Sequence, residues 1–297
     1  MATISISGIQ HTYELTPATD NSDSPVLVFI HGWLLSRRYW QPLITHLSNR
    51  YQCLIYDLRG FGESQTYVCD HNRNRLSNDE FSPGYTLADY AKDLKLLLHN
   101  LQIDNAWLIG HSLGGSIALW GADYCPEAVK GVICLNSGGG IYLKEEFERF
   151  RVAGQKLVQL RPRWLSYLPF IDLIFARAMV AQPIARRWGR QRVIDFVVAS
   201  REAALGSLLN STTEEEVSLL PQILARLQQP VYFLAGTQDK IMELKYVCHL
   251  ASFHKLFQNC ASNVLEIPEC GHFSMLEQTD LVCSKIYSIL MHHGYLV

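Results

Sequence analysis

Residues 106–121 restrict what this chain can fold into more than any other stretch. A short apolar run, Ala106 to Ile109, enters Gly110-His111-Ser112-Leu113-Gly114. It continues through Gly115-Ser116-Ile117-Ala118-Leu119-Trp120-Gly121, small and apolar residues with helical character. The pattern is strand, sharp turn, helix, with Ser112 at the apex. A turn this tight leaves no room for a Cβ two positions before or after the serine, which accounts for Gly110 and Gly114. Ser112 itself is expected to take a strained backbone, so that its Oγ stands clear of the strands. It would also sit at a helix N-terminus, where free N–H groups favour negative charge. A bare Gly-x-Ser-x-Gly arises by chance in roughly one chain in ten of such composition, so its weight comes from the flanks and from partners downstream.

The rest of the chain alternates strands and helices around this unit. Residues 3–15 alternate polar and apolar and read as an edge hairpin, followed by a turn from Asp20 to Pro25. Val26 to Ile30 is an uninterrupted apolar run, the sign of a strand covered on both faces, and it ends in His31-Gly32-Trp33. A helix is expected from Tyr39 to Asn49, and a strand from Gln52 to Asp57 that closes in Asp57-Leu58-Arg59-Gly60-Phe61-Gly62-Glu63-Ser64. Residues 65–85 are polar and aperiodic, which predicts a mobile surface loop. Thr86 should cap a helix reaching Leu101. After the Ser112 unit, Val129 to Leu135 reads as another buried strand, ending in Asn136-Ser137-Gly138.

Alternation then stops for about 90 residues, rich in Arg and Trp and helical in pattern, with Pro162, Pro169, Pro183 and Pro221 as breakers. It resumes with strands at Val231–Ala235 and Val264–Ile267, a helix from Glu243 to Phe257 and a last helix from Leu281 to His292. Regular alternation of apolar strands and helices predicts an α/β fold: a mostly parallel sheet with helices on both faces. Residues 1–140 and 229–297 would form its core and residues 141–228 a helical lid. Ligands bind such sheets at the carboxyl ends of the strands.

Bulk properties narrow the classes further. With 297 residues, 48% of them hydrophobic, the chain can bury a large core, and a net charge of −2 gives no general reason to expect nucleic acid. The N-terminus has no basic region followed by an apolar stretch, and no apolar run approaches about 20 residues, so neither a signal peptide nor a spanning helix is expected. Among the eight cysteines there is no Cys-x-x-Cys and no Cys/His spacing for zinc. Cys53, Cys125, Cys134, Cys248 and Cys283 lie within predicted strands or helices, as small buried hydrophobes do, which favours a reducing, cytoplasmic setting.

A serine hydroxyl needs a base within hydrogen-bond reach, and the base needs an orienting acceptor. Gly236-Thr237-Gln238-Asp239 follows one late strand, and Pro268-Glu269-Cys270-Gly271-His272-Phe273 follows the next. Ser112, Asp239 and His272 would therefore meet on one edge of the sheet as nucleophile, acid and base. The backbone N–H groups of Leu113 and Trp33 are the candidate oxyanion donors, Gly32 allowing close approach. His31 would brace its turn, and Asp57 and Arg59 would pin the turn after their strand. Asn136 sits at another strand end, but an amide cannot hold an imidazolium as a carboxylate does.

These motifs resemble the α/β-hydrolase superfamily, in that family's order and across nearly the whole chain apart from the lid. The resemblance implies an eight-stranded sheet, a Ser-His-Asp triad, a covalent acyl-enzyme and no cofactor. Dehalogenases and epoxide hydrolases of the superfamily carry aspartate as nucleophile, so Ser112 argues against both. The lid decides the substrate. Its apolar stretch from Trp164 to Phe175 is read mainly as helix packing, and the sharper reading is a channel for a lipophilic substrate or a patch touching a membrane surface. Arg186, Arg187, Arg190 and Arg192 read first as a solvated face, and otherwise as a means of steering an acidic substrate or lipid headgroups.

Substrate contacts are expected from Trp33, His111, Trp164, Phe170 and Phe273. The leading expectation is a carboxylic-ester hydrolase for a bulky lipophilic substrate, since the lid is loosely similar to chlorophyll dephytylase and pheophytinase-like hydrolases, which cleave phytyl esters. The alternative is a carbon–carbon bond hydrolase or lyase, of the meta-cleavage-product hydrolase or succinyl-hydroxycyclohexadiene-carboxylate synthase type. The synthase usually places an arginine four residues after the nucleophile, where this chain has Ser116. A ligand-binding receptor with little turnover is the third reading.

Overall fold

A computed structural model describes residues 1–19, 24–65, 84–138, 144–258 and 263–295, the side chains of 144–147 and 258 apart. The turn expected at 20–25 and the polar loop expected at 65–85 fall largely outside these residues, as do Gly139, Gly140, Cys69 and Cys260. Strands β1 (Ala2–Ile6) and β2 (Ile9–Leu15) form the edge hairpin. Next come β3 (Val26–Ile30), a 3-10 turn (Arg37–Trp40) leading into α1 (Gln41–Leu47), β4 (Cys53–Tyr56) and α2 (Leu87–Asn100). β5 (Ala106–His111), α3 (Leu113–Tyr124) and β6 (Val129–Leu135) follow. Between β6 and β7 lie α4 (Lys144–Gln159), a 3-10 turn (Arg163–Tyr167), α5 (Ile171–Phe175), α6 (Arg186–Val198), α7 (Arg201–Ser211) and α8 (Glu214–Arg226). The chain closes with β7 (Val231–Gly236), α9 (Leu244–Ala251), α10 (Lys255–Gln258), β8 (Val264–Ile267), α11 (Ser274–Glu277) and α12 (Thr279–His292).

The eight strands make one sheet in the order β1-β2-β4-β3-β5-β6-β7-β8, with β2 antiparallel to both neighbours and all other pairs parallel. The chain therefore leaves β3 for β4 on one side and crosses to β5 on the other. That reversal opens a crevice where the carboxyl ends of β3 and β5 lie side by side. Alternate β5 residues explain why the strand is apolar throughout: Ala106 and Leu108 enter one core, Trp107 and Ile109 the other. The first core is closed by α2, α3, α8 and α9, the second by α1 and α12.

Several boundaries differ from the sequence expectation. Thr86 caps α2 in a reciprocal box with Asp89, as its position predicts. The helix expected from Glu243 to Phe257 breaks after Ala251, and the His254 ring accepts the N–H of Leu256 at the start of α10. Pro221 does not break a helix but lies inside α8, fully buried with Leu220, Ile223 and Leu224. An interior proline costs about 3 kcal/mol of helix propensity, and burial of that face on α3 offsets it. The six described cysteines are free, five of them buried. Among the described residues no helix is long and apolar enough to cross a membrane.

Helices between β6 and β7 pack in two tiers. α7 and α8 rest on α2 and α3, and α4 rests on α7, while the Arg163–Tyr167 turn and α5 rest on α6. α6 is tied to the loop after β3 by Asp195, 3% exposed, whose carboxylate accepts hydrogen bonds from Ser36 Oγ and, within α6, from Gln191 Nε2, both at 2.9 Å. Burial pushes this carboxyl up to about 7. Its folded value lies above the unfolded value of about 3.9, so its contribution to stability is complete at low pH and is lost as pH rises through 7. Asp195→Asn is therefore expected to gain stability relative to the wild type between pH 4 and pH 8, at up to about 1.4 kcal/mol per pH unit. Urea denaturation of both proteins across that range measures it, and a difference independent of pH would contradict it.

Candidate active site

The turn after β5 has the geometry its glycines require. Ser112 sits at φ 52°, ψ −120°, in the left-handed half of backbone space that a non-glycine residue rarely occupies. A Cβ on Gly110 would lie 2.2 Å from Gly114 O, and one on Gly114 would lie 2.2 Å from Ile30 O. Neither glycine has a positive φ, so space rather than conformational freedom dictates them. Three hydrogen bonds hold the strained residue. Its N–H donates to Leu135 O (3.0 Å), and its carbonyl accepts from Gly115 N–H (2.9 Å) and from Ser137 Oγ (2.8 Å).

Asp239 and His272, placed 33 residues apart, meet as the sequence predicts. His272 Nδ1–H donates to Asp239 Oδ2 at 2.8 Å, with both residues buried. The same oxygen accepts Asn136 Nδ2–H at 3.0 Å, and Oδ1 accepts the backbone N–H groups of Ile241 (2.8 Å) and Met242 (3.0 Å). Burial alone would raise the Asp239 carboxyl, but the charge and hydrogen bond of His272 and the two backbone donors hold it below its ordinary value. The group is an anion fixed at both oxygens.

Other residues at the strand ends are mostly braces. His31 accepts Leu58 N–H on Nε2 (2.9 Å), so its proton is on Nδ1, donated to Gly32 O (2.8 Å). Asp57 receives the N–H and guanidinium of Arg37 and the N–H of Glu63. Arg59 pairs with Asp93 at 3.0 Å. The turn roles read from the sequence therefore match the contacts these residues make.

Of the expected substrate contacts, His111 is 1% exposed, its Nε2–H donating to His272 O at 2.7 Å and its ring 4.9 Å from that of His272. Burial first, and then His272, push its pKa down to about 3, so it is neutral. Phe273 is equally buried, under the Arg192 guanidinium at 4.2 Å. Trp33 is half-buried, with Nε1–H donating to Ala204 O in α7 (2.9 Å). Leu113 is the first residue of α3, where a backbone N–H has no carbonyl four residues earlier to bond.

Trp164 and Phe170 are 60% and 66% exposed to solvent, unlike the buried His111 and Phe273. The expectation that the Trp164–Phe175 stretch mainly packs internally fails for Trp164, Tyr167, Leu168, Phe170 and Ile174, all exposed. The solvated-face reading fails for Arg192, which is buried and donates to the carbonyls of Phe175 and Ala178.

Two supports were not foreseen. Asn136, at φ 47°, also donates to Gly271 O (2.9 Å), so it ties the acid to the loop of His272. Glu277 accepts the N–H groups of Gly271, Phe273 and Ala181 within 3.0 Å, while Met179 O accepts His272 N–H at 2.9 Å. The helices after β6 are thereby stitched to the histidine loop. The only sequence signal for Glu277 is a carboxylate five residues after the histidine, near unpaired N–H groups of a turn. Among the described residues no cluster of His, Cys, Asp or Glu could hold a metal ion.

The family model for the alpha/beta hydrolase fold matches residues 25–191. The chain belongs to the α/β-hydrolase family. Its likeness to two curated proteins is distant but runs over most of their length. It is 26% identical to 3-oxoadipate enol-lactonase 2 of Acinetobacter baylyi over 266 residues, covering 86% of this chain and 85% of that one. It is 24% identical to the 2-succinyl-6-hydroxy-2,4-cyclohexadiene-1-carboxylate synthase of Serratia proteamaculans, covering 92% and 96%. Among solved structures, an esterase from Thermogutta terrifontis superposes with a TM-score of 0.71 at 23% identity, covering 98% of this chain and 96% of that one. As an α/β-hydrolase turn, residues 110–114 leave no slack. Gly114→Ala must displace the backbone of β3, and a loss of about 3 kcal/mol or more is expected. Thermal unfolding tests this, and a variant as stable as the wild type would show that the turn can open.

Proposed function

We propose that the protein hydrolyses a carboxylic ester of a bulky, lipophilic substrate through an acyl-enzyme on Ser112. The observation that carries this reading is the buried hydrogen bond from His272 to Asp239, in a chain whose Ser112 occupies a strained turn at a helix N-terminus. In the proposed reaction Ser112 Oγ attacks the ester carbonyl carbon while His272 Nε2 takes its proton. Asp239 keeps the other ring nitrogen protonated and stabilises the imidazolium. The carbonyl oxygen, now an anion, accepts the N–H groups of Leu113 and Trp33. Collapse expels the alcohol, which receives the proton from His272. Water, deprotonated by the same ring, then releases the acid.

An ester is favoured over a carbon–carbon bond because an anionic diene substrate needs a cation beside the nucleophile. Ser116 stands where such a cation would be expected, and Arg192 is engaged by two carbonyls and the Phe273 ring. The lactonase and esterase names among its relatives fit the same reading. The apolar character of residues 164–175 supports a lipophilic acyl or alcohol group, a phytyl ester being one example.

Hydrolysis of p-nitrophenyl esters from acetate to laurate tests the proposal, with kcat/KM expected to rise with acyl length. Failure to cleave any of them, alongside turnover of a meta-cleavage dienoate, would replace it with the carbon–carbon reading. Ser112→Ala should lower kcat by about 10⁴-fold or more with the fold intact by circular dichroism. Asp239→Asn should cost on the order of 10⁴-fold. A serine variant retaining activity within tenfold of wild type would exclude Ser112 as nucleophile.

A further inference from the structure

The apolar stretch between α4 and α6 is exposed to an extent that a monomer in water does not require. Trp164, Tyr167, Phe170 and Ile174 are 60%, 86%, 66% and 64% exposed, on one short run of chain formed by the 3-10 turn and α5. Phe170 and Ile174 line a groove of about 680 Å³ with Leu168, Pro169, Ile171 and Arg177, and Tyr167 lines an adjoining one. Contiguous apolar surface of this kind marks a docking face.

The charge around it is one-sided. Residues 161–192 contain seven arginines and a single acid, Asp172, leaving 19 basic and 27 acidic residues for the rest of the chain. Asp172 is held by Arg186. Arg163, Arg177, Arg187 and Arg190 are exposed, Arg177 lining that groove and Arg190 the adjoining one. Backbone strain adds a third observation. Phe170 sits at φ 63°, a conformation that costs a bulky residue free energy, and the outcome is an aromatic ring held out in solvent.

We propose that this face docks on the surface of a lipid bilayer carrying anionic headgroups. Trp164 and Tyr167 have the amphipathic rings that settle at headgroup level, Phe170 and Ile174 would enter the acyl boundary, and the arginines would meet lipid phosphates. A second copy of this chain suits the face poorly, because a two-fold contact would press one arginine rim against the other. The inference does not depend on the ester chemistry, and its readout is binding rather than turnover.

Vesicle flotation of the full chain tests it, using phosphatidylcholine alone and phosphatidylcholine with a quarter of phosphatidylglycerol. The protein is expected to float with the anionic vesicles, at least about tenfold more tightly than with neutral ones, and to be released by high salt. Arg177→Gln with Arg190→Gln should weaken binding about tenfold or more. Tyr167→Ser with Ile174→Ser should abolish it. All four side chains are exposed, so the melting temperature should not move. The proposal is overturned by absence of binding to anionic vesicles, or by equal binding to both compositions. It is equally overturned if sedimentation equilibrium shows a dimer that the Tyr167→Ser, Ile174→Ser variant dissociates.

Discussion

The first turn of α3 lies against the end of β3 so closely that the Ile30 carbonyl occupies the space a side chain at position 114 would need. That contact sets where the helix begins, and so where the residue between β5 and α3 must stand. Ser112 absorbs the resulting angle in its own φ, at a cost of order 1–3 kcal/mol. Its N–H and carbonyl are both claimed by neighbours in β6 and the loop after it, Leu135 and Ser137 among them. The adjacent parallel strand thus stabilises a conformation that an isolated turn would abandon. The serine is presented by the packing of three strands, not by a flexible loop.

The acid and the histidine follow a different logic, since neither sits in a regular element. Each projects from a loop at a strand end, and loops of this length hold position only through cross-bracing. Asn136 supplies part of it, with one amide bridging the Asp239 carboxylate and the Gly271 carbonyl. Glu277 supplies another part by gathering N–H groups from both sides of His272 and from Ala181. The anionic state of Asp239 is secured by four donors, which outweigh the penalty of burying it.

How much of this could be read from sequence follows from what sequence encodes. Apolar runs such as Val26–Ile30 and Val129–Leu135 announce buried parallel strands because burial on both faces leaves them no polar positions. The glycines at 110 and 114 announce the turn because nothing larger fits. Asp239 and His272 were legible through their topological places. Asn136 and Glu277 were not, because their roles come from distant backbone groups brought near only by the fold. Pro221 misled for a related reason: helix propensity is local, and the burial that outweighs it is tertiary. Arg192 looked like its neighbours in a basic run, yet two residues of α6 separate the solvated Arg190 from a guanidinium bonded to carbonyls in the interior.

The same segment carries two opposed tasks, and its backbone shows how. Phe170 and Met179 both adopt φ 63°, at the two ends of a ten-residue stretch that contains α5. At the first, the left-handed residue turns an aromatic ring out beside the arginines. At the second, it turns a carbonyl inward to the N–H of His272. Between them, Phe175 and Ala178 offer their carbonyls to Arg192, whose guanidinium covers Phe273, the residue after the histidine. A shift of α5 would therefore break contacts with the loop that holds the imidazole before it disturbed the sheet. The apolar face and the catalytic candidate are joined by a few hydrogen bonds and one stacked guanidinium.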